Sequence, residues 1–283
     1  MHKTNSVDFS KMKATMLGYG RYGAAENMAI DEAMLIVAGK NKSMFMRFYD
    51  FDRSTAIYAH NDHADNLRIE NLNGTDVSRR ITGGDIIYID DKTFSYSVAC
   101  GLGNSHKFEL NVKSRVDGYF GGIIAETVRS MVPESHKVEL GLHHSIMING
   151  RPVAGHAFNI KIRESSFLYH GAMAFDRWDA DKIKNLLRDM DENDYNELTL
   201  LPSISDTVNG SDINLRKARF MDGVISRLPE EGVEHISSAD MSEIISISKE
   251  LMKEKYANPS WVFDRDDRLN KKARFCLLNY SQS

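Results

Sequence analysis

A disulfide framework, a membrane span and a charge bias are all missing from this 283-residue sequence. Its two cysteines, Cys100 and Cys276, lie far apart and outside any metal-type spacing. Neither a disulfide scaffold nor a cysteine-held metal is expected, and a reducing, cytoplasmic compartment is the simplest setting. No stretch approaches the roughly 20 apolar residues of a membrane helix. The opening MHKTNSVDFSKMKATML lacks the long apolar run of a signal peptide. Net charge is only −4, so nothing draws the chain to nucleic acid or to an anionic membrane, and a protein or small-molecule partner is expected instead. No internal repeat or low-complexity segment stands out. What is present is 42% apolar and 27% charged residues, enough for a full core under an ordinary surface, in a length that fits one large domain.

Periodicity gives the coarse order. Apolar residues at Met28, Ile30, Ala33, Met34 and Ile36 predict an amphipathic helix over 26–37. Segments 43–49 and 54–60 read as strands with turn residues between them. Segment 76–98 holds β-rich runs on both sides of Gly83 and Gly84, with a second turn at Asp90, Asp91 and Lys92. Residues 107–132 read as mostly helical, although Gly121 and Gly122 each cost roughly 1 kcal/mol there. Asn149 and Gly150 form a two-residue turn signal that joins 144–150 to 151–162 as a hairpin. A further strand covers 166–175. Helices dominate from Asp179 onward, and the last runs from Ser238 to Tyr256, capped by Ser237 with Asp240 near the third position and stopped before Pro259. The polar stretch 202–214 is a candidate linker or binding loop. Helix, strand-rich middle, then helices is an α+β order rather than a regular alternation.

Three segments carry chemistry. In Arg79-Arg80-Ile81-Thr82-Gly83-Gly84-Asp85, glycines allow backbone N–H groups close to an anion, and arginine offers a planar fork for phosphate or carboxylate. A plain hairpin turn with exposed arginines explains the same residues. Asn149 to Ala157 reads as a hairpin whose interior Gly155 marks a bulge or a close backbone approach, or simply structure. His170, in Tyr169-His170-Gly171, is either a satisfied core histidine or a site residue. His143 and His144 lack a metal-ligand pattern, so no metal site is expected. Cys100 has no adjacent base or cation to activate it and reads as an inert thiol.

Order and spacing resemble the lipoate–protein ligase A group of the biotin/lipoate ligase superfamily. The pattern N-x-A-x-D-E-A is met at Asn27 to Ala33, and R-F-Y at Arg47 to Tyr49, followed by Ser54 and Ile57. R-R-x-T-G-G-G-x-V-x-H-D is met at Arg79 to Asp90, and N-G-x-K-x-x-G at Asn149 to Gly155. H-x-G is met around His170, and K-Y-x-x-x-x-W at Lys255, Tyr256 and Trp261. The likeness spans about 24–263. It implies an α+β fold with a mixed β-sheet flanked by helices, a catalytic domain over 1–265 and a tail over 266–283. No separate accessory domain is expected, and a second chain supplies that domain in some relatives.

The implied activity joins lipoate to one lysine of a lipoyl-domain protein, with ATP and Mg²⁺, through an acyl-adenylate. Close relatives move an octanoyl or lipoyl group from a carrier thioester. Carried over, Arg80 holds phosphate or carboxylate, Gly83 and Gly84 supply backbone donors, and Thr82, Asp85, His156 and Ala157 join the binding set. Gly155 and His170 line the pocket, and Asp90 orients a polar ligand group. The departures fall in the same pocket. Pro152 stands where the family has its catalytic lysine, Asp85 replaces the third glycine, Ile89 replaces the motif histidine, and Asn61 stands for a glutamine. Tyr58 follows Ile57 in place of glycine and is expected to narrow the pocket, with Phe158 reshaping it. Lys92, after the Asp90 turn, is the candidate substitute lysine. Lys161 lies an odd nine positions from Pro152, on the opposite strand face unless a bulge intervenes. No cysteine lies in 138–148 to support a thiol-dependent transferase. A pseudoenzyme that binds a lipoyl domain or an acyl ligand is the alternative reading.

Overall fold

A computed structural model describes residues 8–102, 112–141, 144–162, 164–207, 212–228 and 232–264. The chain opens with β1 (Ala14–Tyr22), α1 (Ala24–Asn41), β2 (Met44–Phe51), β3 (Thr55–Tyr58), β4 (Asp76–Arg79), β5 (Ile87–Ile89) and β6 (Thr93–Gly101). Helices α2 (Val112–Val116) and α3 (Gly122–Met131) flank a π turn at Asp117–Gly121, and the paired glycines Gly121 and Gly122 sit at its junction with α3. Strands β7 (Val138–Leu140), β8 (Ser145–Ile148), β9 (Arg151–Lys161) and β10 (Ser166–Ala174) follow. Then come α4 (Ala180–Leu186), α5 (Glu192–Thr199), α6 (Ile213–Ile225), β11 (Val233–His235), α7 (Ser238–Leu251) and α8 (Pro259–Val262).

Eight strands form one mixed sheet in the order β11-β1-β2-β6-β10-β9-β8-β7. β1 runs parallel to β11 and β2, and the remaining neighbours are antiparallel. A small sheet, β4-β3-β5, stands beside it. The strands at 43–49 and 54–60 are therefore not partners: β2 is interior to the large sheet and β3 is central in the small one. The expected hairpin is present. Asn149 and Gly150 both take positive φ, 52° and 78°, as a tight turn with the strands' twist demands.

Both faces of the large sheet are buried, which explains its nearly continuous apolar strands. Alternation sends Phe94, Tyr96, Val98 and Cys100 of β6 to one core, shared with α3 and α6, while Ala99 faces the other with α1 and α7. Cys100 is fully buried, and burial drives its thiol far up, in line with an inert role. Helix α1 is longer than its apolar spacing predicts. α7 begins where expected, the Ser237 hydroxyl accepting from Asp240 N, and Met252–Tyr256 continues it as a π turn. Segment 202–214 is not loose at its start: Ile204 is buried in the core, Ser203 caps a short turn, and α6 already begins at Ile213. Within the predicted stretches, 107–111, 208–211, His143 and 266–283 lie outside the described residues. Among those described, no helix is long and apolar enough to cross a membrane.

Candidate active site

Strand parity builds the site. Gly155 pairs with Ala172 and Ala157 with His170 across β9 and β10, so all four face the α1 side of the sheet. Ser95 of β6 lies opposite Ala172 on one flank and Tyr49 of β2 on the other. These residues, with Met28 of α1, the 80–89 segment of the small sheet, and Lys113 of α2, enclose a cavity of about 540 Å³. Its walls are apolar at Ile57, Ile86, Ile87, Ile89 and Phe158, with Arg80, Asp85, Ser95, Lys113, His144, His156 and His170 among its polar groups. An apolar chamber with a few converging polar groups is the usual form of a small-molecule site.

The two arginines of the glycine motif part company. Arg79 is fully buried away from the cavity, donating to the carbonyls of Ala59, Asp62, Trp261 and Val262 while lying over the Tyr58 ring. Arg80 lines the cavity, yet its terminal nitrogens donate to the carbonyls of Ile57 (3.2 Å), Gly83 (2.8 Å) and Asp85 (2.7 Å). Burial pulls its pKa down to about 10. Its fork therefore shapes the turn, and Nε has no hydrogen-bond partner among the described residues. Gly84 adopts φ +98°, a conformation that favours glycine, and a Cβ there would press on an Arg80 nitrogen at 3.1 Å.

Behind the cavity lies a buried polar chain. Asp31 of α1 accepts from Arg47 Nε (2.9 Å) and Nη2 (2.7 Å), from the Ser97 hydroxyl (2.7 Å) and from the Tyr49 hydroxyl (3.2 Å). Burial raises its carboxyl, but Arg47 and the His170 and Ser97 hydrogen bonds outweigh that and hold it at about 2. The carboxylate orients His170, whose Nδ1 lies 2.9 Å from Asp31 Oδ2. In the neutral ring the Nδ1–H then donates to Asp31, and Nε2 accepts from the Thr82 hydroxyl at 2.8 Å. Thr82 thus fixes the glycine turn to β10 instead of facing the cavity.

His156 is held by Tyr96 Oη at Nε2 (2.5 Å) and by the His144 carbonyl at Nδ1 (2.6 Å), and its ring stacks on Tyr169. Because a carbonyl only accepts, Nδ1 carries the proton and Tyr96 donates to Nε2. Burial pushes the His156 pKa down to about 3, so the ring is neutral.

The other expected residues lie elsewhere. Asp90 is turned into the β5–β6 turn, accepting from Lys92 N (3.1 Å) and the Thr93 hydroxyl (3.3 Å), with burial raising its carboxyl. Neither Asp90 nor Lys92 is among the cavity-lining residues. Nor is Tyr58, whose hydroxyl donates to the Ala64 carbonyl (2.7 Å), so it does not narrow the chamber as expected. Pro152 is exposed and outside the lining set, beside a β-bulge between β8 and β9. Lys161 lies on the α1 side of β9, opposite Ser166 and near Glu32. Gly83, Gly84, Asp85, Gly155, His156, Ala157 and His170 do converge with Arg80 on the cavity. Sequence reasoning missed Ser95 and Lys113. Asp31 and Arg47 carry a signal of their own, since an acid and a base in two apolar segments must each find a buried partner.

Residues 23–206 match the family model of the lipoyl protein ligase A/B catalytic domain, and the chain belongs to that family. Among solved structures, a bipartite lipoate protein ligase from Thermoplasma acidophilum superposes with a TM-score of 0.70 at 18% identity, over 89% of this chain and 96% of that one. A lipoate-protein ligase A bound with ATP gives 0.70 at 18% identity, over 89% and 99%. Plasmodium falciparum LipL1 in complex with lipoate gives 0.60 at 16%, over 88% and 73%. At such identities the likeness speaks for the fold alone. No curated protein matches the sequence significantly.

Proposed function

We propose that this chain attaches a lipoyl or closely related acyl group to a lysine of a lipoyl-domain protein, by way of an acyl-adenylate made from ATP. The observation that carries the reading is the cavity itself: an apolar chamber with Arg80 and the Gly83–Gly84 turn on its rim, in a chain that matches the lipoyl ligase model.

In the first step a carboxylate oxygen of the acid attacks the α-phosphorus. The bond from that phosphorus to the bridging oxygen breaks, and pyrophosphate leaves with the electron pair. In the second step the neutral amine of the acceptor lysine attacks the acyl carbon. The C–N bond forms, the C–O bond to AMP breaks, and the amine's extra proton passes to solvent. The apolar walls at Ile57, Ile86, Ile87 and Ile89 would hold the acyl chain and keep water from the mixed anhydride. Backbone N–H groups of the glycine turn, stiffened by Arg80 and by the Thr82–His170 hydrogen bond, would face the phosphate.

Among the described residues no cluster of three or more His, Cys, Asp or Glu side chains is placed to hold a metal. Asp85 is the carboxylate that lines the cavity, and it fits a Mg²⁺ held mainly by nucleotide phosphates. Such an ion would neutralise phosphate charge and remove the repulsion that Asp85 otherwise exerts. A lipoyl-domain acceptor, and a separate chain supplying an accessory domain, are the partners this reading calls for. One relative, the Thermoplasma acidophilum enzyme, is a bipartite ligase with an E2 lipoyl domain, which supports both by analogy.

The test is acyl modification of a purified lipoyl domain by the full chain with lipoate, ATP and Mg²⁺. One observation favours a binding-only pseudoenzyme instead: Pro152, where the family resemblance leads one to expect a lysine, is exposed and away from the cavity. That reading predicts lipoate or lipoyl-domain binding without turnover, from either ATP or an octanoyl carrier thioester.

A further inference from the structure

Lys113 stands on the α2 wall of the cavity, in a segment that carries none of the motifs. Its ammonium lies 5.4 Å from the centroid of Phe158, which lines the same chamber. An aromatic face orients an ammonium without neutralising it. The acid one helical turn on, Asp117, lies 2.8 Å from His144 Nδ1, and Lys113 forms no ion pair among the described residues. The cavity's other cation differs. Arg80 directs its terminal nitrogens at three backbone carbonyls, so its fork is committed to the turn. A chamber that receives a carboxylate and then a phosphate is thus served by a lysine whose head group, among the described residues, meets only an aromatic ring.

We propose that Lys113 is the side chain that binds the ligand's carboxylate, and then its acyl phosphate, supplying from the helical wall a positive charge that Pro152 does not supply from β9. This rests on the acyl-ligase reading above. Lys113 forms no covalent bond and moves no proton in it; its part is charge. Nothing in the local sequence announces this, because NVKSRVD has no pattern that fixes which wall its lysine meets.

The test is isothermal titration of the full chain and of K113M and K113R with lipoate and with lipoamide, its uncharged amide. The expected result is that the unaltered protein prefers lipoate by roughly tenfold, the size of one charge-assisted hydrogen bond. K113M should lose that preference through weaker lipoate binding alone, with lipoamide affinity unchanged, and K113R should keep most of it. Since Lys113 is exposed, the thermal midpoint should hardly move. A K113M protein that keeps the preference, or weakens both ligands equally, overturns the assignment while leaving the acyl-ligase reading intact. An unaltered protein that binds lipoate no better than lipoamide also overturns the assignment. One that binds neither overturns both.

Discussion

Asp31 is the side chain on which the back of the cavity depends. Fully buried, it ties Arg47, Ser97, Tyr49 and His170 together, and through His170 it reaches Thr82 and the glycine turn. Asp31→Asn would leave the buried Arg47 guanidinium short of its counter-charge, and such losses cost about 3–5 kcal/mol. Denaturant unfolding at neutral pH should show that loss. The pH dependence has a definite sign. A carboxyl held at about 2 in the fold, against its ordinary value near 4 in the unfolded chain, stabilises above pH 4 and loses that contribution as the pH falls from about 4 to 2. The contribution is worth roughly 2–3 kcal/mol at neutral pH. Asp31→Asn should therefore be less stable at pH 7 and also show a shallower acid limb in unfolding free energy measured from pH 5 to 2. An acid limb that stays as steep would count against this pairing.

Short stretches of backbone set the rest of the geometry. The turn after β4 works because Gly84 accepts φ +98° and leaves room for Arg80. Gly84→Ala should cost about 1–3 kcal/mol in strain and shift Arg80, so lipoate binding should weaken more than tenfold in titration. Equal affinity in the variant would separate the turn from the ligand. At the other end of the chain, Trp261 stacks over the Lys255 ammonium (4.1 Å to the centroid), meets Tyr256 edge-on, and donates to the Arg79 carbonyl (3.0 Å). Lys255 and Tyr256 both donate to Glu32 on α1, each at 2.7 Å. The spacing of Lys255, Tyr256 and Trp261 is thus a clasp that fastens the last helical turns to α1 and to the arginine strand, not a ligand site. Trp261→Ala should destabilise by about 3–5 kcal/mol, readable in a denaturation curve, and a value under 1 kcal/mol would refute the clasp.

These elements show what the sequence discloses. α1, the Asn149–Gly150 hairpin, β10 and the capped start of α7 announce themselves through local period and turn chemistry. β1 does not: ATMLGYGRY holds two glycines and buries only its first half, so no clean alternation appears. β11 is three exposed residues added at the edge. The separation of β2 and β3 into two sheets is a tertiary fact that no local window contains.

Across the whole molecule, one mixed sheet is covered on both faces, and its α1 face opens into the cavity against the small sheet. The motif order carries the family and the pocket's neighbourhood. Parity could be read for Gly155, Ala157 and His170 once β9 and β10 were paired. Individual directions could not be. Tyr58 turns from the cavity because its hydroxyl finds the Ala64 carbonyl, Asp90 folds into its own turn, and Lys113 arrives from a helix distant in sequence from every motif. The arrangement of charge around the chamber therefore counts for more than the residue at position 152. On the proposed reading, Lys113 supplies the charge that Arg80, committed to the turn, does not.

The decisive measurement is the intact mass of a lipoyl-domain acceptor after incubation with the full chain, lipoate, ATP and Mg²⁺, with and without a separately supplied accessory domain. The account predicts a lipoyl-sized gain on one acceptor lysine that requires ATP. An acceptor whose mass stays unchanged under every one of these conditions, while the chain still binds lipoate, would contradict it and leave a binding protein.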